Sequence, residues 1–448
     1  PSSRHDAMTS PHQGRLRRLA SSRWLTVLLV AIVCVRLAGV AWSAWSNNRG
    51  DYYASLPGTY VQTVNPTLWT SPDMTGAMGY LLNTYYHGPT QYLTLYAVAY
   101  LDSYAEIAAV LFVVYAVMLA ATFWMLCRGL APLAPGRPMM LPLFAMTFLF
   151  FPLLQAFLQR EFEVVVLLAL TFSLWQIQGN RREVAALALG YIAWFKYIPL
   201  LFVGYLALRG WLAAVAAFLL ASAAVLAATH FAFGFPEFFN NNVPGHAAQV
   251  FNVAQFGFVP NVAGELQGFG FCNGWFETET TLANIRHGLC TVASTRPWLA
   301  PNLAYLAICV AVAGVYLQAH FRFPHRPQLP PAAEAWRRAL EFAIVTTVCA
   351  CFFFAHYYYL IVLIIPYGVL LVRYLANQQW LRLGLWAVSY VLVSALVVPT
   401  GPLSRLTGID VWAWYFHGAW FLYGELLLVT LLLLEYHTLA NRQRPAIS

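Results

Sequence analysis

Long apolar runs recur along most of the chain and constrain its fold more than any other feature. The first extends from Trp24 to Trp45, and helices of about 20 apolar residues cross a hydrocarbon core about 30 Å thick. Of the 448 residues, 60% are hydrophobic and only 9% are charged, which is more apolar surface than a soluble domain can cover. Because only helices satisfy their own backbone polar groups in lipid, the sequence predicts an all-α polytopic membrane protein.

The apolar runs predict about twelve transmembrane helices in a single domain over residues 1–448, with both termini inside. The two runs around Lys196 and Pro199 are too short for separate complete crossings, so they form either one bent helix or a hairpin. The alternation of basic loops favours the hairpin. The predicted spans are 24–45, 104–126, 139–158, 162–178, 184–195, 197–208, 211–232, 299–319, 339–354, 357–373, 383–400 and 417–437.

Arginines in short loops and tails indicate which side of the membrane each loop occupies. Most of the net charge of +8 comes from them, so it indicates topology and lipid head-group contact rather than nucleic-acid binding. With these loops in the cytoplasm, residues 46–103 become an external juxtamembrane segment of surface helices, and residues 233–298 become one long external loop. A disulfide between Cys272 and Cys290 in that loop would contribute about 3 kcal/mol in an oxidising compartment.

Asp51 follows the first predicted span directly and precedes Tyr52 and Tyr53. A carboxylate here suits a general base for a hydroxyl acceptor, beside a tyrosine platform for a sugar. The alternative is an interfacial aspartate with tyrosines of the aromatic belt. Asp73 is the rival carboxylate in the same segment.

Three further charged or titratable positions lie on the predicted external side. Arg160, beside Glu161, has forked donors that suit a phosphate, although the two side chains alternatively pair across a tight turn. Lys196, the only lysine, presents a compact charge to a phosphate or snorkels to the interface. His356 either orients the reacting groups or is an ordinary interfacial histidine.

Two charges fall inside predicted spans and were interpreted as structural. Arg36 in the first span needs a partner, and Glu425 in the last span is one candidate. The cysteine spacing predicts no metal site. No internal repeat indicates a transporter built from inverted halves.

The order of several short motifs resembles the GT-C class of integral-membrane glycosyltransferases, and most closely glycosyltransferase family 87. The chain departs from the family where Gln159-Arg160-Glu161-Phe162 replaces a frequent Gly-Gln-x-Asn, which puts the donor sugar and the acceptor in question. The motifs that carry the resemblance are Asp51-Tyr52-Tyr53, the small-residue helix from Gly190 to Leu208 with Lys196 and Pro199, His356-Tyr357 running to Pro366, and Tyr86-His87-Gly88-Pro89.

The resemblance implies a GT-C-like bundle that transfers a sugar, with inversion, from a polyprenyl-phosphate donor to a hydroxyl acceptor. Mannose is the expected sugar and a pentose the alternative, and the acceptor is a glycolipid, a glycan or a protein. The reaction is expected at the external face of a bacterial cytoplasmic membrane, without a metal or another cofactor. The implied roles are Asp51 as base, His356 as second catalytic residue, Lys196 and Arg160 as donor-phosphate ligands, and Tyr52, Tyr53, Glu161 and Tyr357 as substrate contacts.

Two other classes of protein fit the same composition. A lipid or small-solute transporter, or a flippase, also places ionisable residues inside a helical bundle, near mid-membrane on several helices. A non-catalytic scaffold subunit of an envelope assembly needs no acidic residue at position 51. The grouping of charges on one predicted face favours the glycosyltransferase.

Overall fold

The computed structural model describes most of the predicted bundle, and all regular structure within the described ranges is helical. This confirms the predicted all-α class. The described residues are 23–46, 90, 93–94, 104–136, 139–158, 162–194, 200–233, 285–296, 300–323, 329–352, 357–394 and 400–443.

Sixteen α-helices are described, and the bounds of each follow in chain order. They are α1 (Arg23–Ser46), α2 (Tyr104–Leu130), α3 (Met140–Leu149), α4 (Phe151–Leu158), α5 (Glu163–Gln178), α6 (Arg182–Ile192), α7 (Leu201–Leu208), α8 (Leu212–Phe233), α9 (Ile285–Thr295), α10 (Pro301–Arg322), α11 (Pro331–Cys351), α12 (Ile364–Ala376), α13 (Trp380–Val393), α14 (Thr400–Thr407), α15 (Val411–His417) and α16 (Trp420–Arg442). Two 3₁₀ segments, Ala131–Leu133 and Tyr357–Leu363, extend α2 and precede α12.

In the described part of the chain, fewer helices than predicted meet the combined length and hydropathy criteria for a span. Among the described residues, four helical stretches meet the length and hydropathy of a span, or five if a bent pair counts as one. The protein is therefore membrane-embedded and polytopic, and the expected count of about twelve is not reached by these criteria. The four stretches are Ala109–Leu133, Leu303–Arg322, Tyr359–Ala376 and Trp420–Arg442.

The predicted span 139–158 is two helices rather than one. α3 and α4 meet at a bend of 60°, and Phe150 between them is extended, with φ −70° and ψ 112°. Pro152 in the first turn of α4 has no backbone N–H, so it cannot continue the hydrogen bonding of α3. The amide freed at Phe151 donates to Ser394 Oγ at 2.8 Å, which ties the bend to the end of α13.

α6 and α7 form a hairpin, which was the favoured interpretation of the two short runs. The guanidinium of Arg182, the first residue of α6, lies 4.7 Å from the Trp211 ring centroid. That of Arg209, which follows α7, lies 4.9 Å from the same ring. The chain therefore reverses between the two helices and returns to the side from which it came.

The two described arms of the hairpin are each shorter than a bilayer core is thick. α6 packs closely on α8, because a Cβ at Gly190 would lie 2.3 Å from Phe218 O. Just beyond α6, Trp194 Nε1 donates to Ser222 O at 3.0 Å. At 1.5 Å per residue, Ser222 is about 15 Å from the first residue of α8, so the described part of the hairpin ends near half the thickness of a bilayer core.

The 3₁₀ segment Tyr357–Leu363 and α12 form the centre of the bundle. The span Tyr359–Ala376 is 89% buried, although its mean hydropathy is comparable to that of the more exposed spans. Two predicted boundaries change around it. α13 ends at Val393, before the predicted end of the span 383–400, and α14 begins as a separate short helix at Thr400.

Candidate functional site

Most of the candidate residues lie outside the described residues, and the structure describes the helix ends beside them. Those outside are Asp51, Tyr52, Tyr53, Asp73, Arg160, Glu161, Lys196, Cys272 and His356. Of the candidate residues, Tyr357 and Cys290 are described.

One end of the bundle gathers charged side chains from helices that are distant in sequence, and we call this end the charged face. Glu334 accepts hydrogen bonds from both Arg209 and Arg338. Arg338 also donates to Ile177 O at 3.1 Å, near the end of α5. The charged face therefore contains the end of α5, the residue after α7 and the start of α11.

The helix ends next to three of the candidates are the opposite ends of these same helices. α5 begins just after Arg160 and Glu161, the α6–α7 hairpin reverses around Lys196, and α11 ends shortly before His356. α1 packs against α3 and α4, and α4 packs against the 3₁₀ segment. The helix ends adjoining these three candidates therefore point away from the charged face.

Tyr357, one of the predicted substrate contacts, packs inside the bundle. Its side chain is 2% exposed, and its hydroxyl donates to Val393 O at 2.6 Å. The ring lies 5.7 Å from that of Phe151 and 6.2 Å from that of Tyr415. Tyr357 thus fixes the start of the 3₁₀ segment against α4, α13 and α15.

Further aromatic rings continue this contact to the start of α16. Phe416 packs on Tyr357 at 5.7 Å and on Phe421 at 5.8 Å. The His287 imidazole stacks on Phe421, with ring centroids 6.0 Å apart and planes 12° from parallel. We call these rings, from Phe151 to His287, the outer aromatic cluster.

α9 is an anchored helix within the predicted external loop, where no helix was predicted. Gly288 lets it approach α16, because a Cβ there would lie 2.6 Å from Leu422 Cβ. Cys290 in α9 is buried and disulfide-bonded. Its predicted partner, Cys272, lies outside the described residues. The other cysteines, Cys34, Cys127, Cys309, Cys349 and Cys351, are free.

The first predicted external segment contacts the α6–α7 hairpin. Thr90 Oγ1 donates to Tyr191 O at 2.6 Å, and Thr94 Oγ1 shares a hydrogen bond of 2.6 Å with the Tyr191 hydroxyl. Thr90 is fully buried. Part of the segment therefore packs into the bundle at the end of α6, where a helix lying on the membrane surface was expected.

The charged face is an internal network, which sequence reasoning missed. Glu341 is fully buried and accepts from Arg337 Nε at 3.0 Å and from the Tyr436 hydroxyl at 2.5 Å. Arg209 Nη1 lies 3.2 Å from Glu341 Oε2, and His320 Nδ1 lies 3.2 Å from Glu341 Oε1. Several arginines expected to mark topology and contact lipid are thus buried counter-ions of glutamates.

A second buried glutamate, which bonds to two arginines, lies at the same end of the bundle. Glu435 is fully buried and accepts from Arg373 Nε at 3.0 Å and from Arg382. The Glu334/Arg338 and Arg337/Glu341 pairs are spaced i,i+4 on α11, which is the signal in the sequence that could have revealed the network.

The suggested pairing of Arg36 with Glu425 is not found. Arg36 interacts electrostatically with Tyr390 and Tyr357. Glu425 is fully buried, and neither of its carboxyl oxygens has a hydrogen-bond partner among the described residues. Its nearest electrostatic neighbours include Tyr357, Tyr367 and Tyr415.

Within the described ranges, no group of three or more His, Cys, Asp and Glu residues is arranged to hold a metal ion. No family model, curated protein or solved structure matches the chain. The glycosyltransferase resemblance therefore rests on the order of the sequence motifs.

Proposed function

We propose that the protein is an inverting glycosyltransferase that moves a sugar, mannose or a pentose, from a polyprenyl-phosphate donor to a hydroxyl acceptor. The observation that carries the proposal is the segregation of charge between the two ends of the bundle. At the charged face, Arg209 after α7 and Arg338 in α11 bond to Glu334, and Arg338 also donates to Ile177 O at the end of α5. The opposite ends of these helices precede or follow Arg160, Lys196 and His356 in the chain, and the proposal assigns these three residues to the ligand.

The proposed reaction takes place at the end of the bundle away from the charged face, facing the exterior of a bacterial cytoplasmic membrane. Asp51 removes the proton of the acceptor hydroxyl, whose oxygen attacks the anomeric carbon of the donor as the bond to the phosphate oxygen breaks. Lys196 and Arg160 stabilise the negative charge left on the lipid phosphate. His356 orients the reacting groups, and buried Tyr357 fixes its neighbour in the chain.

The test is transfer of radiolabelled sugar from polyprenyl-phosphate mannose, or from a pentose donor, into lipid, glycan or protein acceptors of membranes. We expect Asp51→Asn to lower transfer by at least about 100-fold, the scale of a lost general base. Asp73→Asn, at matched expression, is the control and retains transfer. Transfer that survives in Asp51→Asn but is lost in Asp73→Asn would reassign the base. No transfer by the intact protein from either donor would reject the enzyme.

One specific observation favours a second function, the transport of a lipid or small solute. Glu425 is a buried carboxyl inside a spanning helix, without a hydrogen-bond partner among the described residues. The described part of the α6–α7 hairpin ends near mid-bilayer, where a transport pathway through a bundle places its site. Proteoliposomes with fluorescent lipid or labelled sugar phosphate distinguish the two. Movement across the bilayer that Glu425→Gln abolishes, without sugar transfer, would support transport over catalysis.

A further inference from the structure

The Trp211 indole contacts two guanidinium groups at the charged face, and within the described ranges only that of Arg209 pairs with a carboxylate. Arg209, 5% exposed, pairs with Glu334 and Glu341. Arg182 lies over the same ring and is half-buried, so it remains accessible from outside the bundle. Among the described residues its only side-chain hydrogen bond goes to the neutral Asn180 Oδ1, at 2.7 Å.

The local charges do not balance around Arg182. Glu334 is shared between Arg209 and Arg338, and Glu341 is shared between Arg209 and Arg337. Burial, followed by the positive charges of Arg338 and Arg209, lowers the pKa of Arg182, whereas Glu334 and Glu183 oppose this effect more weakly. An additional anion at this place would relieve the repulsion.

Several N–H donors around Arg182 also lack partners. The Nε atoms of Arg182 and Arg209 are both buried without a hydrogen-bond acceptor in the described part of the chain. α6 begins at Arg182, and its N-cap residue Arg181 provides no side-chain acceptor. The first amides of a helix carry positive partial charge and attract anions. The half-buried Arg182 guanidinium and the first amides of α6 therefore belong to the same helix start, and the buried Arg209 guanidinium contacts the same Trp211 ring.

We propose that Arg182, supported by Arg209, Arg338 and the start of α6, binds a phosphate group at the charged face. A tetrahedral phosphate accepts several hydrogen bonds and suits the forked donors of arginine. The group belongs either to an anionic lipid head group or to free phosphate. This site is at the opposite end of the bundle from the proposed active site and does not depend on the proposed function. Its occupant would brace the start of the α6–α7 hairpin.

The test uses the purified full-length protein in mixed micelles at constant ionic strength, with the thermal unfolding midpoint as readout. Micelles receive phosphatidylglycerol in one arm, zwitterionic phosphatidylcholine in a second, and phosphatidylcholine with inorganic phosphate in a third. The variants are Arg182→Gln, which removes the donors, Arg182→Lys, which retains the charge, and Arg181→Gln, a control at the exposed neighbouring arginine.

We expect phosphatidylglycerol, compared with phosphatidylcholine, to raise the midpoint of the intact protein and of Arg181→Gln. Apparent affinity for phosphatidylglycerol, from its titration, should be about tenfold weaker in Arg182→Gln and intermediate in Arg182→Lys. A shift with phosphatidylglycerol alone assigns a lipid head group, and shifts in the phosphatidylglycerol and inorganic phosphate arms assign free phosphate as well. No shift with either anion, or an equal shift in Arg182→Gln, would overturn the site.

Discussion

Two equally buried glutamates of this bundle differ in their partners, and that difference determines how much each contributes to stability. Glu341 neutralises Arg209 and Arg337 and accepts from Tyr436. Glu425 is equally buried but has no hydrogen-bond partner within the described residues. A buried ion pair that loses one member leaves an uncompensated charge, whereas an unpartnered polar group contributes little that can be lost.

We therefore predict opposite outcomes for the same substitution at the two positions. Glu341→Gln should destabilise the protein by about 3–5 kcal/mol, because two buried arginines keep their charge without a counter-ion. Glu425→Gln should leave stability unchanged or raise it. Thermal unfolding midpoints of both variants in the same detergent provide the comparison. Equal losses at the two positions would show that burial, rather than pairing, sets the contribution.

The packing of α9 against α16 is expected to depend on pH, because α9 buries His287. Burial lowers its pKa to about 4 in the folded protein, from an ordinary value of 6.5. The unfolded chain therefore binds the proton more readily, so the stabilisation is complete above pH 6.5 and is lost as the pH falls toward 4. A shift of this size corresponds to about 3 kcal/mol.

We predict that His287→Gln flattens the dependence of the unfolding midpoint on pH between 6.5 and 4. His417→Gln is the matched control, since His417 is exposed, and it should retain the pH dependence of the intact protein. If His287→Gln and the intact protein lose stability in parallel over this range, another group carries the effect.

At the scale of elements, a single glycine sets the distance between α6 and α8. A Cβ at Gly190 would approach Phe218 O to 2.3 Å and Ala221 Cβ to 2.9 Å, so backbone would have to move. Gly204 in α7 has nothing within 4 Å of the equivalent Cβ. A Cβ therefore fits at position 204 in α7 and does not fit at position 190 in α6.

We predict that Gly190→Ala destabilises the protein by about 1–3 kcal/mol through overpacking, whereas Gly204→Ala is neutral or slightly stabilising. If the hairpin positions a donor phosphate, sugar transfer should fall in Gly190→Ala and persist in Gly204→Ala. Detergent unfolding midpoints and the transfer assay measure the two effects separately. A stable, fully active Gly190→Ala variant would show that α6 and α8 can separate without consequence.

Helix bounds could be predicted where a continuous apolar run sets them. The features that were not predicted depend on contacts between residues distant in the sequence. Unbroken apolar runs such as those of α2, α10 and α16 gave spans close to those observed. The bend between α3 and α4 required the acceptor at Ser394, which lies far away in the sequence. α9 is too short and polar to produce a spanning pattern, and it is held by contacts with α16.

The candidate site and the charged face also combine features set by local sequence with features set by long-range contacts. Arginine position predicted which loops lie together, and the charged face does bring the arginines of three such loops to one end. Their burial depended on Glu334, Glu341 and Glu435, and pairing between distant helices cannot be read from one sequence. The candidate site remains a prediction from motif order, supported by helix ends that point away from this network.

At the scale of the whole molecule, the proposed function requires the charged face to lie in the cytoplasm. Arg181 is exposed at that face, and Arg405 is exposed on α14, between the ends of α13 and α16 that lie away from it. In a Cys34→Ser background, we predict that Arg405→Cys reacts with a membrane-impermeant maleimide in intact cells. Arg181→Cys should react only after permeabilisation. The reverse pattern would place the helix ends beside Lys196 and His356 in the cytoplasm, and transfer from an externally oriented lipid phosphate would then be ruled out.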